Sequence, residues 1–381
     1  MSRPSPSSLS CPACGREYEP GPDEPWRCSC GNPLEFAERP MPENGPPKSS
    51  GVDTREGLWA FEGFAPVERR VTLGEGWTPL VDAPDRNCAF KLEYVFPTGS
   101  FKDRGAAATL SRAIEVGAER VIEDSSGNAG AAIATYAARA GIDAEIYVPA
   151  EAKQSKLRAI SRAGADVVRV KGTREDVTSA CIERVESGGG WYASHAWNPA
   201  FYAGTRTVAF EVAAQRDWTV PDAMVLPLGH GTLLLGAYRG FRALADAGWT
   251  SEIPRLYGAQ ANGYNPVARE FHSKSRGRED RNGRNGRSEP DERNDLADGV
   301  RIREPARHDE IIEAISATGG DVLAIGEAET ERALNRLHRA GFYTEPTCAL
   351  APAALRAFRE QGVIEADEDV VVALTGSGLK T

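Results

Sequence analysis

Lys102 lies in the run "FPTGSFKDRG" (96–105), where a glycine turn meets the start of an alanine-rich segment. Lysine usually sits on a solvated surface. One held at a helix start behind a phenylalanine is a candidate for chemistry, against the plain reading of a surface lysine. Burial or a neighbouring cation lowers an ammonium pKa, and the freed amine is a nucleophile that condenses with carbonyls. Three further runs carry polar groups at strand-to-helix junctions. "GHGT", Gly229, His230, Gly231 and Thr232, follows the apolar "AMVLPL" and opens "LLLGAYRGF". Its backbone N–H groups, with a helix dipole behind them and the Thr232 hydroxyl beside them, suit a phosphate; the bland alternative is a common Gly-x-Gly turn. "SSGNAG", Ser125 to Gly130, gathers hydroxyls and an amide at a second helix start. That suits a substrate carboxylate, against the simpler reading of a helix cap, for which one Ser or Asn is enough. "LTGSG" ends the last apolar strand. There Thr375 or Ser377 can face a ring nitrogen, and a hydroxyl would leave that nitrogen largely unprotonated; an ordinary terminal turn is the alternative.

An amine nucleophile, a phosphate cradle and a partner for a pyridine nitrogen are what pyridoxal phosphate requires of a chain. His230 stands inside the phosphate-type loop, and its side chain can equally face solvent. His195, before "AWNP", either lines the mouth of such a site or is a satisfied core histidine, and the latter is favoured.

The elements that must position these residues alternate in type. Strand-like runs at 88–96, 119–124, 144–149 and 166–172 are separated by helix-like runs at 106–117, 131–141 and 152–164. The pattern resumes at 223–248 and ends in "DVVVALTGSG". Such βαβα alternation predicts parallel sheets covered by helices on both faces. Residues 37–56 have the Pro, Gly and charge content of a linker. Residues 272–299 are charged and dense in Gly, Asn and Arg, and are expected to form a mobile surface insertion.

Four of the seven cysteines cluster as Cys11-x2-Cys14 and Cys28-x-Cys30. That spacing points to a structural zinc ribbon, with Tyr18 and Trp26 to pack it; iron–sulfur or free thiols are the alternatives. A knuckle this short usually needs a metal staple. The net charge of −10 argues against a nucleic-acid partner. No apolar run reaches membrane-spanning length, and the start lacks a signal-type apolar core, so a soluble cytoplasmic protein is expected.

Taken together, "GEGWTPL", "KLEYVFPTGSFKDRG", "SSGNAGAAIATYAARAG", "NPAFYAGTRTVAFE", "GFYTEPTCALAPAAL" and "LTGSGLK" resemble the threonine synthase family over roughly 57–381. These are pyridoxal-phosphate enzymes of fold type II. The resemblance implies an α/β fold: two open three-layer domains with parallel or mixed sheets, plus the small N-terminal zinc ribbon. It implies a ribbon and linker over 1–50, a large cofactor-binding domain over 51–95 and 205–381, and a small domain over 96–204. By the same resemblance Lys102 carries the cofactor and shuttles protons, and Phe101 and Asp103 support its placement while Arg104 is structural. Asn128 bonds the cofactor's 3′-oxygen. Ser125, Ser126, Gly127 and Asn128 hold the substrate carboxylate. Gly229, His230, Gly231 and Thr232 form the phosphate loop, and Thr375 faces the pyridine nitrogen. The activity implied is conversion of O-phosphohomoserine and water to threonine and phosphate. A serine/threonine ammonia-lyase, or another β-replacement synthase, is the alternative. A ribbon-bearing regulatory protein on an inactive scaffold is the reading from another class; it would lack the yellow of a bound cofactor. Related enzymes are often dimers, so a homodimer is expected by analogy. The chain departs from the family pattern in "GHGTLLLG", in the ending "GLKT", and in Phe201 and Tyr202, where an arginine commonly follows Asn-Pro.

Overall fold

The structure is a computed structural model and describes residues 6–152, 154–279 and 292–380. Its N-terminal unit is a three-stranded antiparallel sheet of β1 (Leu9–Ser10), β2 (Glu17–Tyr18) and β3 (Glu35–Phe36), in the order β2-β1-β3. Trp26 packs outward rather than within the knuckle, edge-on against Tyr192 and Trp197. Arg112 anchors the unit through Glu24 at 2.6 Å and the Ser7 carbonyl at 2.8 Å. The linker lies on the body of the protein. The Trp218 and Trp249 indoles donate to the Pro47 and Asn44 carbonyls, at 2.6 and 3.0 Å.

A six-stranded sheet contains β4 (Leu80–Ala83), β5 (Cys88–Lys91), β10 (Ala223–Pro227), β11 (Arg255–Ala261), β12 (Asp321–Ile325) and β13 (Val370–Ala373). Its order is β12-β11-β10-β13-β5-β4, parallel except for β4. A four-stranded parallel sheet contains β6 (Arg120–Glu123), β7 (Asp143–Pro149), β8 (Asp166–Val170) and β9 (Trp191–Tyr192), in the order β8-β7-β6-β9. The central strands read as continuous apolar runs because both faces are covered. Along β10, Met224 and Leu226 join a core with Phe210 and Phe241, while Ala223 and Val225 join one with Tyr257 and Phe358. The period of two thus sends alternate residues into two separate cores.

The helices are α1 (Lys102–Glu115), α2 (Asn128–Ala140), α3 (Gln154–Arg162), α4 (Arg174–Glu186), α5 (Pro199–Thr205), α6 (Thr207–Ala214), α7 (Thr232–Asp246), α8 (Pro266–Glu279), α9 (His308–Ala317), α10 (Glu327–Arg339) and α11 (Leu350–Glu360). Among the described residues no helix is long and apolar enough to cross a membrane.

Two local readings need revision. The strand expected over 88–96 stops at Lys91, because the chain turns there to carry Lys102 back to the sheet; Val95 N–H donates to the Leu92 carbonyl. Both described flanks of the expected insertion are ordered. His272 bonds Asp321 at 2.9 Å. On the other flank Asn294 is buried and donates to the Ile325 carbonyl and Thr330 Oγ1, at 3.0 and 2.7 Å. Polar side chains with fixed partners order the two described ends of a stretch that composition alone marks as unstructured. Residues 280–291 of that expectation lie outside the described residues.

Candidate active site

Lys102 is the first residue of α1. The turn before it is stitched to the end of the last strand. Phe101 N–H donates to the Thr375 carbonyl at 3.1 Å, and Ser100 bridges Gly376. Asp103 accepts from Thr98 N–H at 2.8 Å and from the Thr98 hydroxyl, which locks the turn. Lys102 Nζ donates to Thr232 Oγ1 at 3.2 Å, so the amine meets the start of α7. The Phe101 and Phe201 ring centroids lie 4.6 and 5.7 Å from it. Burial lowers the Lys102 pKa to about 8, against the pull of Glu123 and Glu345.

A direct expectation follows. A depressed amine of this kind is suited to take up an aldehyde; if it does so here, the rate of cofactor loading onto the apoprotein should rise with pH and level off above about 8. Following the growth of visible absorbance from pH 6 to 10 checks this. A rate still climbing steeply to pH 10 would mean an ordinary, solvated lysine.

The α7 start is built for an anion. It has no side-chain cap, and Gly231 precedes it with φ of +75°. A Cβ on Gly231 would lie 2.5 Å from Ile311 Cδ1, so only glycine closes this loop. The uncapped N–H groups remain free for a phosphate. The α2 start is alike, with Gly127 at its cap position and no side-chain cap. Gly130 presses onto Ser125, whose carbonyl would be 1.8 Å from an added Cβ. Ser125, Ser126 and Asn128 are partly open and Gly127 is exposed, as a substrate-facing loop requires.

Asn128 Nδ2 donates to both oxygens of Glu345, at 3.0 and 3.1 Å. Thr375 is buried, and its Oγ1 lies 3.4 Å from Cys348 Sγ, which also accepts from Thr375 N–H at 3.1 Å and Gly376 N–H at 3.0 Å. Glu345 and Cys348 were not singled out from the sequence. Both lie in "TEPTCA" beside the terminal turn, where Glu345 N–H donates to the Gly376 carbonyl at 3.0 Å. The pattern of an acid before proline at the close of a helical segment was the available signal.

Glu123 was missed as well. It ends β6, is fully buried, and its Oε1 lies 2.6 Å from His195 Nδ1. His195 is therefore both a satisfied buried histidine and a neighbour of the site. Its ring centroid is 5.2 Å from that of His230 and 6.0 Å from that of Phe201. His230 Nδ1 is closed off from solvent and has no hydrogen-bond partner among the described residues.

Behind the lysine, Arg104 forms paired bonds to two buried carboxylates. It meets Glu93 at 2.7 and 2.7 Å and Glu211 at 2.5 and 2.7 Å. Lys91 adds a bond to Glu211 at 2.8 Å. Arg104 is thus a tie between α1, α6 and the end of β5.

The four clustered cysteines stand apart from this site. Cys11 and Cys30 sulfurs are 3.6 Å apart, Cys14 and Cys28 sulfurs 3.5 Å, and all four fall within 4.8 Å of one another.

Lys102, the uncapped α7 start, Asn128 and Thr375 converge at the carboxyl ends of β6, β10 and β13, where open α/β sheets place their ligands. The unpartnered His230 nitrogen and the glycine-only loop fit a phosphorylated ring aldehyde. The family described as pyridoxal-phosphate dependent enzyme matches residues 71–376. A threonine synthase of Methanocaldococcus jannaschii is 31% identical over 97% of this chain and 92% of its own length. One of Methanosarcina acetivorans is 33% identical over 85% of this chain and 80% of its own. Among solved structures, maize serine racemase superposes with a TM-score of 0.67 at 20% identity, covering 86% of this chain and 93% of that one. Threonine deaminase isoform 2 of Solanum lycopersicum gives 0.66 at 20% identity, covering 99% and 94%. By sequence and by fold, the chain belongs to the pyridoxal-phosphate dependent enzymes of fold type II, within the threonine synthase family.

Proposed function

We propose that the protein is a pyridoxal-phosphate-dependent lyase that converts O-phosphohomoserine and water to threonine and phosphate. One observation carries this reading: a depressed-pKa lysine held against an uncapped, glycine-framed helix start, with Asn128 and Thr375 arriving from two other strand ends. When bound, pyridoxal phosphate supplies a sink for the electron pair left on the substrate's α-carbon. The chain's residues do the rest. Lys102 would hold the cofactor and then move the α-proton. Gly229, His230, Gly231 and Thr232 receive the phosphate. Ser125, Ser126, Gly127 and the α2 start bind the substrate carboxylate. Asn128, braced by Glu345, would bond the 3′-oxygen, and Thr375 would bond the ring nitrogen. We take 96–204 as the small α/β domain, 51–95 with 205–381 as the large cofactor-binding domain, and the cytoplasm as the working compartment. The test is release of phosphate and threonine in equal amounts from O-phosphohomoserine by purified protein supplied with cofactor. Cofactor binding without phosphate release would remove this substrate.

A second reading, an ammonia-lyase acting on serine or threonine, draws on Phe201. This fully buried apolar ring stands beside the amine where a cation would serve a phosphorylated substrate. Keto-acid formation from threonine, exceeding phosphate release, would favour it.

The Cys11, Cys14, Cys28 and Cys30 set fits a structural zinc. Bonds of ~2.3 Å in a tetrahedron put sulfurs about 3.8 Å apart, close to the spacing seen. Purified protein should contain one zinc per chain by elemental analysis, and Cys11→Ser should lose it together with the ribbon's protection from protease. A closed four-thiolate site is structural, so cofactor binding should survive. Full protease protection without metal would refute the assignment.

A further inference from the structure

The cluster of Glu123, His195 and His230 has no part in the roles given above beyond the loop position of His230, and it faces the lysine. Glu123 spends both oxygens on one residue. Its Oε1 meets His195 Nδ1 at 2.6 Å, and its Oε2 accepts the His195 backbone N–H at 3.3 Å. His230, one ring away, carries a buried nitrogen with no partner among the described residues. The same Phe201 ring lies 6.0 Å from His195 and 5.7 Å from Lys102 Nζ, so imidazole and amine are neighbours of one ring. Phe201 brings no charge to that wall. We propose that Glu123 and His195 form the second acid–base unit of the site, which gives a proton to the departing phosphate oxygen and recovers one from the attacking water.

This inference rests on the function proposed above. Burial, with Asp124 beside it, holds the Glu123 carboxyl well above its usual range, and burial holds the His195 imidazole well below its own. Both shifts favour one proton held between Oε1 and Nδ1 over the separated ion pair. The other charged groups around it are Asp124, Arg174, Lys102 and His230. Asp124 is held ionised, against burial, by Arg174 at 3.0 Å, with Thr178 at 2.6 Å and Tyr192 at 2.8 Å also bonding it. It is thus already committed, and the shared proton of Glu123 and His195 is the movable one.

The proton count closes. As the Cγ–O bond breaks, its electron pair stays on the phosphate oxygen, which takes a proton from the imidazole while Glu123 passes its own proton to Nδ1. Later a water O–H bond breaks, its oxygen bonds Cβ, and the released proton refills the pair. The hydrogens moved at Cα, and from Cβ to Cγ, belong to Lys102.

The test uses holoenzyme of the wild type, His195→Gln and Glu123→Gln. Each is given L-threonine in deuterated water for α-hydrogen exchange, and O-phosphohomoserine for phosphate release. Both variants should keep the cofactor and exchange the α-hydrogen within a few-fold of wild type, while phosphate release falls about 10²- to 10³-fold. Wild-type phosphate release should decline at alkaline pH, where the pair loses its proton, with no matching decline in α-exchange. Unchanged phosphate release in the variants, or equal loss of both activities with cofactor retained, overturns the proposal. If the variants lose cofactor, the wild type decides: identical alkaline limbs for the two activities overturn it. Keto-acid formation from threonine, which reverses the water addition, replaces the phosphate readout if wild type releases none. A His195-dependent keto-acid yield would then sink the proposed substrate alone, and a wild type that breaks no C–O bond in either substrate sinks both readings.

Discussion

Lys102→Ala is expected to lower phosphate release by about 10⁴-fold, the upper end for a positioned acid–base group, because one residue supplies both the covalent hold and the proton transfer. The loss should fall on kcat. Gly229 to Thr232, Asn128 and Thr375 stay in place, so the cofactor should still bind, weaker and without a covalent link. Stability should hardly change. Among the described residues the side chain makes one hydrogen bond, to Thr232, and removing it also removes a buried amine that pays a desolvation cost. Activity assays with cofactor titration and thermal melts check the pattern. A variant that retains a tenth of wild-type activity would take the lysine out of the chemistry.

Arg104→Met should produce the largest stability change. Arg104 is fully buried and forms paired bonds to Glu93 and Glu211, which are buried as well. Removing one partner of a buried ionic set leaves uncompensated charge and costs about 3–5 kcal/mol. For a chain of this size that is a melting shift of roughly 4–6 °C. The pH dependence gives the sign. Burial alone would raise the Glu211 pKa, but Arg104 and Lys91 hold it at about 2. A depressed carboxylate contributes stability that is present above its unfolded pKa, near 4.3, and is lost as pH falls toward 2. In the variant the same carboxylate becomes easier to protonate, so its burial is less costly in acid. The gap between wild type and Arg104→Met should therefore narrow from pH 7 to pH 4. A constant gap would mean that lost packing, not charge, accounts for the change.

The positions of candidate residues that depend on one local turn were legible in the sequence. Lys102, Gly231 and Thr232, and the "SSGNAG" loop, each sit where a strand hands over to a helix, and that chemistry is local. The parallel sheets were legible from the alternation of apolar runs and glycine-closed helices. What escaped is long in range. Asn128 and Glu345 meet across 217 positions, and Glu123 and His195 across 72. No spacing rule links such pairs; only the sheet order β8-β7-β6-β9 brings the His195 segment beside β6. The early end of β5 and the ordered flanks of 272–299 were missed for a related reason. Local apolar content does not reveal that Leu92 to Val95 must turn, nor that Asn294 has buried partners waiting on β12 and α10.

The most direct test of the account is reduction of the holoenzyme with borohydride, followed by proteolysis and mass analysis. The account predicts one reduced pyridoxyl group per chain, attached to the peptide that contains Lys102. A label on Lys91, Lys380 or any other lysine, or a protein that takes up no label, would contradict it.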